Sequence, residues 1–412
     1  MKTQPVITGL GILSPIGIGI DGFWRSAIAG RSGIGPATLF DVSSLPPECR
    51  VVGEVPNFAH HDWVPPQIAR TAGRFSQFAV AAAKMASADA DIPSDSISPE
   101  RIKISIGTSL HGQDVAETGF QSFLRGDEIR PWTSNESAAH AAASHVAIST
   151  ATRAQTVTFA TACAGGIDAI AWAANEIERV DATMVLAGAT DAPLSPFVLR
   201  MLQAVGVLSR WQGSPNAASR PFDRLRSGLV LAEGAAIVVV EDELHARERG
   251  ARIYAKILGS ASATEGRHLR KVDENGHGVA RSILGALDQA HLPPTDIDYL
   301  CAHGNSMQDY DIAETAGIKR VFGRHAWNLP ISSIKSMCGQ ALAASSAMQV
   351  VTSCLVLRDQ IIPPTINYEF FDPRCDLDYV PNTARVARVR HVLIHAHSLG
   401  GAHVAMVLRT AS

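Results

Sequence analysis

The chain has 412 residues, of which 46% are apolar and 18% charged, and its formal net charge is −3 at pH 7. This length fits two domains or one large duplicated unit, and the composition excludes a disordered chain. Aromatic residues make up only 6%, and Lys and Arg form no basic stripe, so nucleic acid is not an expected partner.

In chain order, apolar runs alternate with stretches of helical apolar spacing. In the first 250 residues this pattern predicts strands at 6–18, 102–107, before Cys163, at 183–187 and at 235–240, and helices at 137–151, 167–180 and 241–249. Gly188 is expected to end the strand before it. Residues 41–63 and 113–134 are interpreted as loops or insertions, the second of which could line a tunnel.

After Gly250 the alternation starts again. It predicts strands at 253–258, 297–302, 391–396 and 402–408, and helices at 278–289, 312–322 and 341–357, with Gly400 and Gly401 joining the last two strands. Alternating strands and helices predict an α/β fold whose sheets are largely parallel and buried on both faces. The similar order of the halves suggests a duplication, with units 1–250 and 251–412 packed as one body.

The six cysteines, at positions 49, 163, 301, 338, 354 and 375, show no CxxC pair or regular spacing. This is the pattern of neither a disulfide framework nor a zinc site, and it is typical of a reducing compartment. The first residues show no signal-peptide pattern, and the longest strongly apolar run, 235–240, is too short to span a bilayer. We therefore expect a cytoplasmic protein without a membrane partner.

Cys163 stands between a β-branched run and a helical pattern, and Gly165 and Gly166 follow it closely. At the N-terminus of a helix, a thiolate is stabilised and free N–H groups can hold an oxyanion. The alternative is a small buried thiol, which is the usual fate of a free cysteine. The sequence therefore nominates Cys163 as a nucleophile only if partners can be found for it.

Three further segments supply candidate partners. His303 follows an apolar strand, where chemistry gathers in open α/β sheets, although it could equally be a hydrogen-bonded turn residue. Lys335 lies in a Ser/Gly-rich turn and is either a solvated side chain or a buried one paired with Glu314. The segment 395–403 carries three histidines and a glycine pair, Gly400 and Gly401, whose N–H groups could serve an oxyanion hole. Its histidines lack the nearby Cys or carboxylate ligands of a typical metal site, so no metal is expected.

Together these segments resemble the β-ketoacyl-acyl-carrier-protein synthases of the elongating type, which have a thiolase fold and a Cys-His-His triad. The resemblance covers nearly the whole chain. It rests on the opening strand at 6–17, the Cys163 motif at 162–166, the Arg-Pro-Phe-Asp segment at 218–234, His303-Gly with Asp311 and Glu314, and the lysine motif at 335–339. It implies a five-layer αβαβα sandwich built from two duplicated halves, the first carrying the nucleophile and the second the His and Lys motifs.

The resemblance also implies roles for these residues. Cys163 would accept an acyl group from a carrier-protein thioester, and the N–H groups of Cys163 and Leu399 would form its oxyanion hole. His303 would stabilise the enolate left when a malonyl thioester loses carbon dioxide. Lys335, paired with Glu314, would keep His303 and the local charge in order. No cofactor is implied beyond the phosphopantetheine arm of the carrier protein.

The chain departs from the family pattern where the second half-reaction takes place. Gln340 stands where the second triad histidine is expected; its amide cannot act as a base but can still donate to an oxyanion. Asn305 and Met307 replace the threonines that bind the pantetheine arm, so we expect an altered carrier site. Leu229 and Leu399 replace the gating phenylalanines, which predicts a looser gate or a differently shaped acyl pocket.

Three functions follow as hypotheses. The first is a condensing ketosynthase of a type II polyketide or fatty-acid pathway that uses Cys163, His303 and Gln340. The second is an acyltransferase that passes the acyl group to another nucleophile. The third is a subunit like a chain-length factor beside an active ketosynthase. The resemblance also implies an acyl carrier protein as partner and a homodimer, or a heterodimer with a paralogue, paired through the strand Thr156–Phe159.

Overall fold

The structure, a computed structural model, describes residues 3–92 and 97–411. Residues 1 and 2 lie outside these ranges; they belong to the expected N-terminal half and begin the segment that was searched for a signal peptide. The last residue of the expected C-terminal half also lies outside them.

The helices and strands follow the predicted alternation. The helices are α1 Gly19–Ile28, α2 Pro66–Ala69, α3 Arg74–Asp89, α4 Gln113–Arg125, α5 Thr133–Glu136, α6 Ala141–Ser149, α7 Gly165–Glu178, α8 Pro196–Val205, α9 Glu243–Glu248, α10 His277–Ala290, α11 Gln308–Phe322, α12 Lys335–Cys338 and α13 Leu342–Asp359. The strands are β1 Pro5–Ser14, β2 Gly17–Ile18, β3 Ile34–Pro36, β4 Val51–Gly53, β5 Ile102–Gly107, β6 Thr156–Phe159, β7 Met184–Asp191, β8 Gly234–Asp242, β9 Ala255–Thr264, β10 Tyr299–Cys301, β11 Ile331–Ser332, β12 Ile361–Ile362, β13 Arg385–Val386, β14 His391–His397 and β15 Ala402–Arg409.

One strand pattern occurs twice in the large sheet. Within the described residues, its order is β11-β10-β14-β15-β9-β1-β8-β7-β5-β6, with β2 paired to β1 at the side. In each half the first strand pairs antiparallel with the last, the last pairs antiparallel with the one before it, and two parallel pairings complete the half. The halves meet where β1 pairs with β9. This repeated order is the duplication that the sequence suggested.

The sheet halves enclose a central helical layer. Helices α7 and α13 pack between them in one buried core, α3 and α6 cover the outer face of the first half, and α10 and α11 cover the outer face of the second. The sequence of strand β8 is apolar throughout because both faces of the strand are buried. Ile237 and Val239 join the outer core, whereas Val238 and Val240 join the central one. The five-layer αβαβα arrangement is confirmed.

Three expectations about the fold are wrong. The sheet is mixed rather than largely parallel, because the first and last strands of each half pair antiparallel. Residues 113–134, interpreted as a loop or an insertion, do not form a loop but hold α4 and the start of α5. Strand β7 runs past Gly188 to Asp191. A Cβ on Gly188 would lie 2.0 Å from the carbonyl oxygen of Ala236, so this glycine permits a close approach to β8 and does not end the strand.

Within the described ranges, no helix combines the length and apolarity needed to cross a membrane.

Candidate active site

Cys163 lies at a tight turn between the end of β6 and the start of α7. The turn is a single 3-10 turn, Ala162–Ala164, and Ala162 has a φ of +50°, which is unfavourable for a residue with a side chain. The glycines after it have a packing role. A Cβ on Gly166 would lie 2.6 Å from the backbone nitrogen of Ala347, so only glycine lets α13 pack directly against the start of α7. The predicted turn is confirmed, and the helix begins two residues earlier than expected.

The thiol of Cys163 is protonated in this environment. Burial raises its pKa to about 11, and nearby Lys335 and the hydrogen bond from Gln340 oppose the rise only partly. The start of α7 gives little help, because the N–H groups of Ala164 and Gly166 already donate to the hydroxyls of Ser398 and Ser346, each at 3.0 Å. The start of α7 therefore leaves the resting thiol neutral.

Gln340 is fixed beside the thiol by its backbone. It follows α12 and Gly339, and it pairs with the neighbouring segment through bonds from its N–H to the Val230 carbonyl, at 2.8 Å, and from the Ala232 N–H to its own carbonyl, at 3.0 Å. Its Nε2 donates to Cys163 Sγ at 2.9 Å, and among the described residues its Oε1 has no partner. A primary amide can donate to a thiolate or, turned over, accept from a thiol, so Gln340 suits both states of Cys163.

His303 follows β10 and is a neutral donor. Glu314 anchors the backbone here, accepting the N–H groups of His303 at 2.7 Å and Gly304 at 2.8 Å. His303 Nδ1 accepts a long bond from the backbone N–H of His397, at 3.4 Å, so the ring proton resides on Nε2, which has no partner among the described residues. Burial, then the charge of Lys335, holds the pKa of His303 well below its usual range.

Lys335 is buried but does not form the expected ion pair with Glu314. Its Nζ donates to the carbonyl of His303 at 2.7 Å and to Oε1 of Gln349 at 3.1 Å. Burial lowers its pKa to about 8, against the opposing influence of Cys301 and Glu314. The Glu314 carboxylate instead receives His395 Nδ1 at 2.6 Å, besides the backbone of the His303 turn. Lys335 therefore holds His303 through its carbonyl, with a neutral amide as its second partner.

Asp311 and Asn305 shape the turn that follows His303. Asp311 accepts the N–H groups of Phe222 at 2.8 Å and Asn305 at 3.1 Å, and burial raises its pKa to about 7 although Arg226 lies 3.5 Å away. The side-chain oxygen of Asn305 accepts the N–H of Met307 at 3.1 Å. Asn305 thus supports its own turn with this oxygen, which is a local role that the sequence did not indicate.

The remaining predicted residues line the space around the thiol. Cys163 belongs to a buried apolar cluster with Leu229, Met307 and Tyr310, and Leu399 packs against it. This cluster provides the apolar surface that an acyl chain needs.

The glycine pair does not supply an oxyanion hole. The N–H of Gly400 donates to the Leu269 carbonyl at 2.7 Å, and that of Gly401 donates to Ser398 at 3.1 Å. Their φ angles of +94° and +78° instead close the hairpin between β14 and β15. The N–H groups of Cys163 and Leu399 donate to no acceptor within residues 3–92 and 97–411, so they stay available for the expected role.

Comparison with known proteins agrees with this geometry. The family model for the β-ketoacyl synthase N-terminal domain matches residues 3–246, and that for the C-terminal domain matches residues 254–369. The chain belongs to the β-ketoacyl synthase family. It is 36% identical to the tetracenomycin polyketide synthase ketoacyl synthase alpha subunit of Streptomyces glaucescens over 99% of this chain and 97% of the relative. It is also 36% identical to 3-oxoacyl-[acyl-carrier-protein] synthase 2 of Coxiella burnetii over 99% and 98%.

A solved structure of a type II polyketide synthase acyl-carrier protein in complex with its ketosynthase, bound to the hexaketide, superposes with a TM-score of 0.93. Its sequence is 33% identical, and the match covers 100% of both chains. The thiolase-like fold expected from the sequence is confirmed by this match.

Two residues of this β-ketoacyl synthase site were not predicted. Gln349 receives Lys335 and donates through Nε2 to the carbonyls of Ala302, at 2.8 Å, and His395, at 3.0 Å, so it ties the ends of β10 and β14 together. His397 was considered only as a metal ligand, yet its ring contacts the ring of His303. The available signal for Gln349 was an amide inside the apolar pattern of α13. The available signal for His397 was the alternation of side chains along β14.

Proposed function

We propose that the protein is a condensing ketosynthase that carries an acyl chain on Cys163. The acyl group passes from a carrier-protein thioester to the thiol, whose proton leaves with the carrier thiol. A malonyl thioester then loses carbon dioxide, and its enolate carbon attacks the acyl carbonyl. The bond to Cys163 sulfur breaks, and the thiolate takes up one proton.

The observation that carries this proposal is the pairing of a thiol with two neutral N–H donors. Gln340 Nε2 lies 2.9 Å from Cys163 Sγ, and the protonated Nε2 of His303 has no protein partner in the described part of the chain. Once an acyl group occupies the sulfur, both donors can bind the oxygen of a malonyl thioester enolate. Donors that are already oriented stabilise such a charge without reorganisation during the reaction.

The partner we propose is an acyl carrier protein, whose phosphopantetheine arm would enter past Asn305 and Met307; no other cofactor is required. A similar structure, the ketosynthase with its carrier protein, supports this partner. Arg210, Arg270 and Arg374 line a cavity of about 510 Å³ that also reaches Met307, and such a rim suits the phosphate of the arm. The six unpaired cysteines support a cytoplasmic location.

We also propose that two chains pair through β6. A separate proposal is that the two halves of each chain divide near residue 250. Strand β6 ends the sheet order, and Phe120, Phe123 and Leu124 of α4 are exposed apolar residues. The carbonyls of Gln155 and Phe159 bond to β5, so in a parallel ladder the backbone of Thr158 faces the open edge. Thr158→Pro should therefore convert a dimer to a monomer in light scattering. A dimer that persists would exclude pairing through β6.

One assay separates the proposed function from its alternatives. The protein is incubated with acyl-carrier protein, acylation of Cys163 is read by mass, and malonyl-carrier protein is then added. Acylation, carbon dioxide release and a longer ketoacyl chain support condensation, and Cys163→Ala should abolish the acylation and the chain extension. Acylation without carbon dioxide release would replace condensation with acyl transfer to another nucleophile, which the non-basic Gln340 favours. No acylation, together with copurification of a second ketosynthase, would indicate a subunit like a chain-length factor.

Gln340 is tested by two variants in the same assay. Gln340→Ala removes the donor and should slow carbon dioxide release more than acylation, by about tenfold to a hundredfold. Gln340→His supplies a ring N–H and should restore the rate of carbon dioxide release. Equal losses of both steps in Gln340→Ala would contradict the role of this amide in the second step.

A further inference from the structure

His397 is a buried imidazole for which the proposed reaction has so far no use. His397 is 1% exposed, and neither nitrogen of its ring has a hydrogen-bond partner among the described residues. Burying a polar group without a partner costs free energy, so a ring of this kind requires an explanation. Its ring lies edge-on to that of His303, with centroids 4.3 Å apart, and Tyr310 covers another side at 4.5 Å.

The ring of His397 continues a series of histidines that leads away from the thiol. Because His397 and His403 face each other in the β14–β15 ladder, their rings stack at 5.3 Å. His403 Nε2 then bonds to Glu265 Oε1 at 2.9 Å. The side chain of Glu265 is 3% exposed, and its chain neighbours Thr264 and Gly266 are exposed, so this carboxylate lies just below the surface.

The ring nitrogens between these ends are free to exchange protons. Nε2 of His303, both nitrogens of His397 and Nδ1 of His403 have no partner among the described residues. Rings at these separations can hand on a proton after rotation about the Cβ–Cγ bond or through one bridging water. Within the same residues, no group of His, Cys, Asp and Glu side chains is arranged to hold a metal ion.

The space for this series is provided by glycine. A Cβ on Gly278 would lie 2.5 Å from His403 Nε2, so a side chain at this position would displace the ring from its contact with Glu265.

We propose that His397 is a proton-relay residue that connects His303 to His403 and Glu265 and supplies the proton consumed in each condensation. The inference rests on the proposed condensation. In that step a carbon–carbon bond forms, the bond to the carboxylate breaks with release of carbon dioxide, and the carbon–sulfur bond breaks with its electron pair on Cys163. One proton from solvent is needed per turnover, and it enters at Glu265.

Three other groups near the site, Gln340, Lys335 and Tyr310, are poor carriers of this proton. The amide of Gln340 cannot take one up and release it at neutral pH. Lys335 is held by two acceptors, and burial raises the pKa of the Tyr310 hydroxyl far above neutrality. Imidazole can accept a proton on one nitrogen and release one from the other, which is what a relay requires. His397 thus provides a second imidazole ring beside His303, which the triad position does not provide because it holds Gln340.

The test separates acylation from condensation. His397→Phe keeps a ring in the same space but removes both nitrogens. It should leave single-turnover acylation of Cys163 within about twofold and lower kcat for condensation by about tenfold or more, with little change in KM for the malonyl carrier. His397→Ala should show the same loss, and added imidazole should restore condensation without changing acylation. His391→Phe, which removes the ring nitrogens of another histidine of β14 at the far end of that strand, is the matched control and should condense like the parent.

Each outcome decides the inference. A parent that condenses and a His397→Phe variant that condenses equally well would overturn the relay alone. Equal losses in acylation and condensation, without rescue by imidazole, would show a structural role and also overturn it. If His397→Phe does not fold, His397→Gln, which stays polar but cannot relay, replaces it with the same expected loss. A parent that acylates but never condenses overturns the proposed function and the relay together.

Discussion

The carboxylate of Glu314 should be essential to the rigidity of the site, and Glu314→Gln tests this with an almost isosteric change. Its two oxygens accept three bonds, from the N–H of His303 at 2.7 Å, the N–H of Gly304 at 2.8 Å and Nδ1 of His395 at 2.6 Å. Since His303 and His395 share one oxygen, the best orientation of an amide still directs its NH₂ at the N–H of Gly304. At least one buried donor is therefore left without an acceptor.

The magnitude follows from these contacts. An orphaned buried N–H costs about 1–3 kcal/mol, and the two remaining bonds lose the roughly 1 kcal/mol each by which a charged acceptor exceeds a neutral one. We expect a loss of about 3–5 kcal/mol of stability, seen as a Tm lower by several degrees, and slower condensation because the His303 turn loosens. Glu248→Gln, on the exposed side of α9, is the control and should change stability by less than about 0.5 kcal/mol. A Glu314→Gln protein with the parent Tm and parent condensation rate would refute the reasoning.

Three further predictions concern the same region. Because burial raises the pKa of Cys163 to about 11, its alkylation by iodoacetamide should speed up about tenfold per pH unit from pH 7 to 10; a plateau below pH 9 would contradict the buried thiol. Burial raises the pKa of Asp311 from 3.8 to about 7, so the folded state favours its protonated form and the associated stability, present below pH 4, is lost as the pH rises to 7. Asp311→Asn cannot titrate, so its stability relative to the parent should improve by up to about 4 kcal/mol over that range in unfolding experiments, and a constant difference would count against the shift. Gly166→Ala should lower Tm strongly, since its Cβ would meet the backbone of Ala347 at 2.6 Å; an unchanged Tm would mean that α13 can move.

The local patterns in the sequence were sufficient for the elements but not for all of their relations. Two apolar runs and the glycine pair at 400–401 predicted the β14–β15 hairpin, because φ above zero at both glycines is a local requirement. The antiparallel pairing of β1 with β8 joins residues more than two hundred positions apart, and no local pattern encodes such a contact. Helix α4 was taken for a loop or an insertion although Ala116, Phe120, Phe123 and Leu124 stand at helical spacing, so this pattern was overlooked.

The same holds for the site: the types of its residues could be read from the sequence, but their surroundings in the folded protein could not. Residue types and motif order predicted that Cys163 and Gln340 share one site, and Gln340 Nε2 does lie 2.9 Å from Cys163 Sγ. The pKa of the thiol depends on burial by distant segments, which no local pattern in the sequence shows. The partner of Lys335 was also missed, because Gln349 is the ninth residue of the segment 341–357, which was read only as an apolar helix.

The charges of the site give a physical reason for the proposed two-step chemistry. Burial holds the pKa of His303 and His397 well below the usual range, and it keeps Cys163 as a thiol, so these side chains are neutral at rest. A deep, neutral site disfavours every anion, including the thiolate and the enolate, unless a donor or a proton meets it. Gln340 and His303 provide the donors, and Lys335 provides the nearby positive charge. With an amide at 340 the donors can stabilise an enolate but only the imidazoles can move a proton, so condensation should depend on the histidines of β14 and β15 more than acylation does.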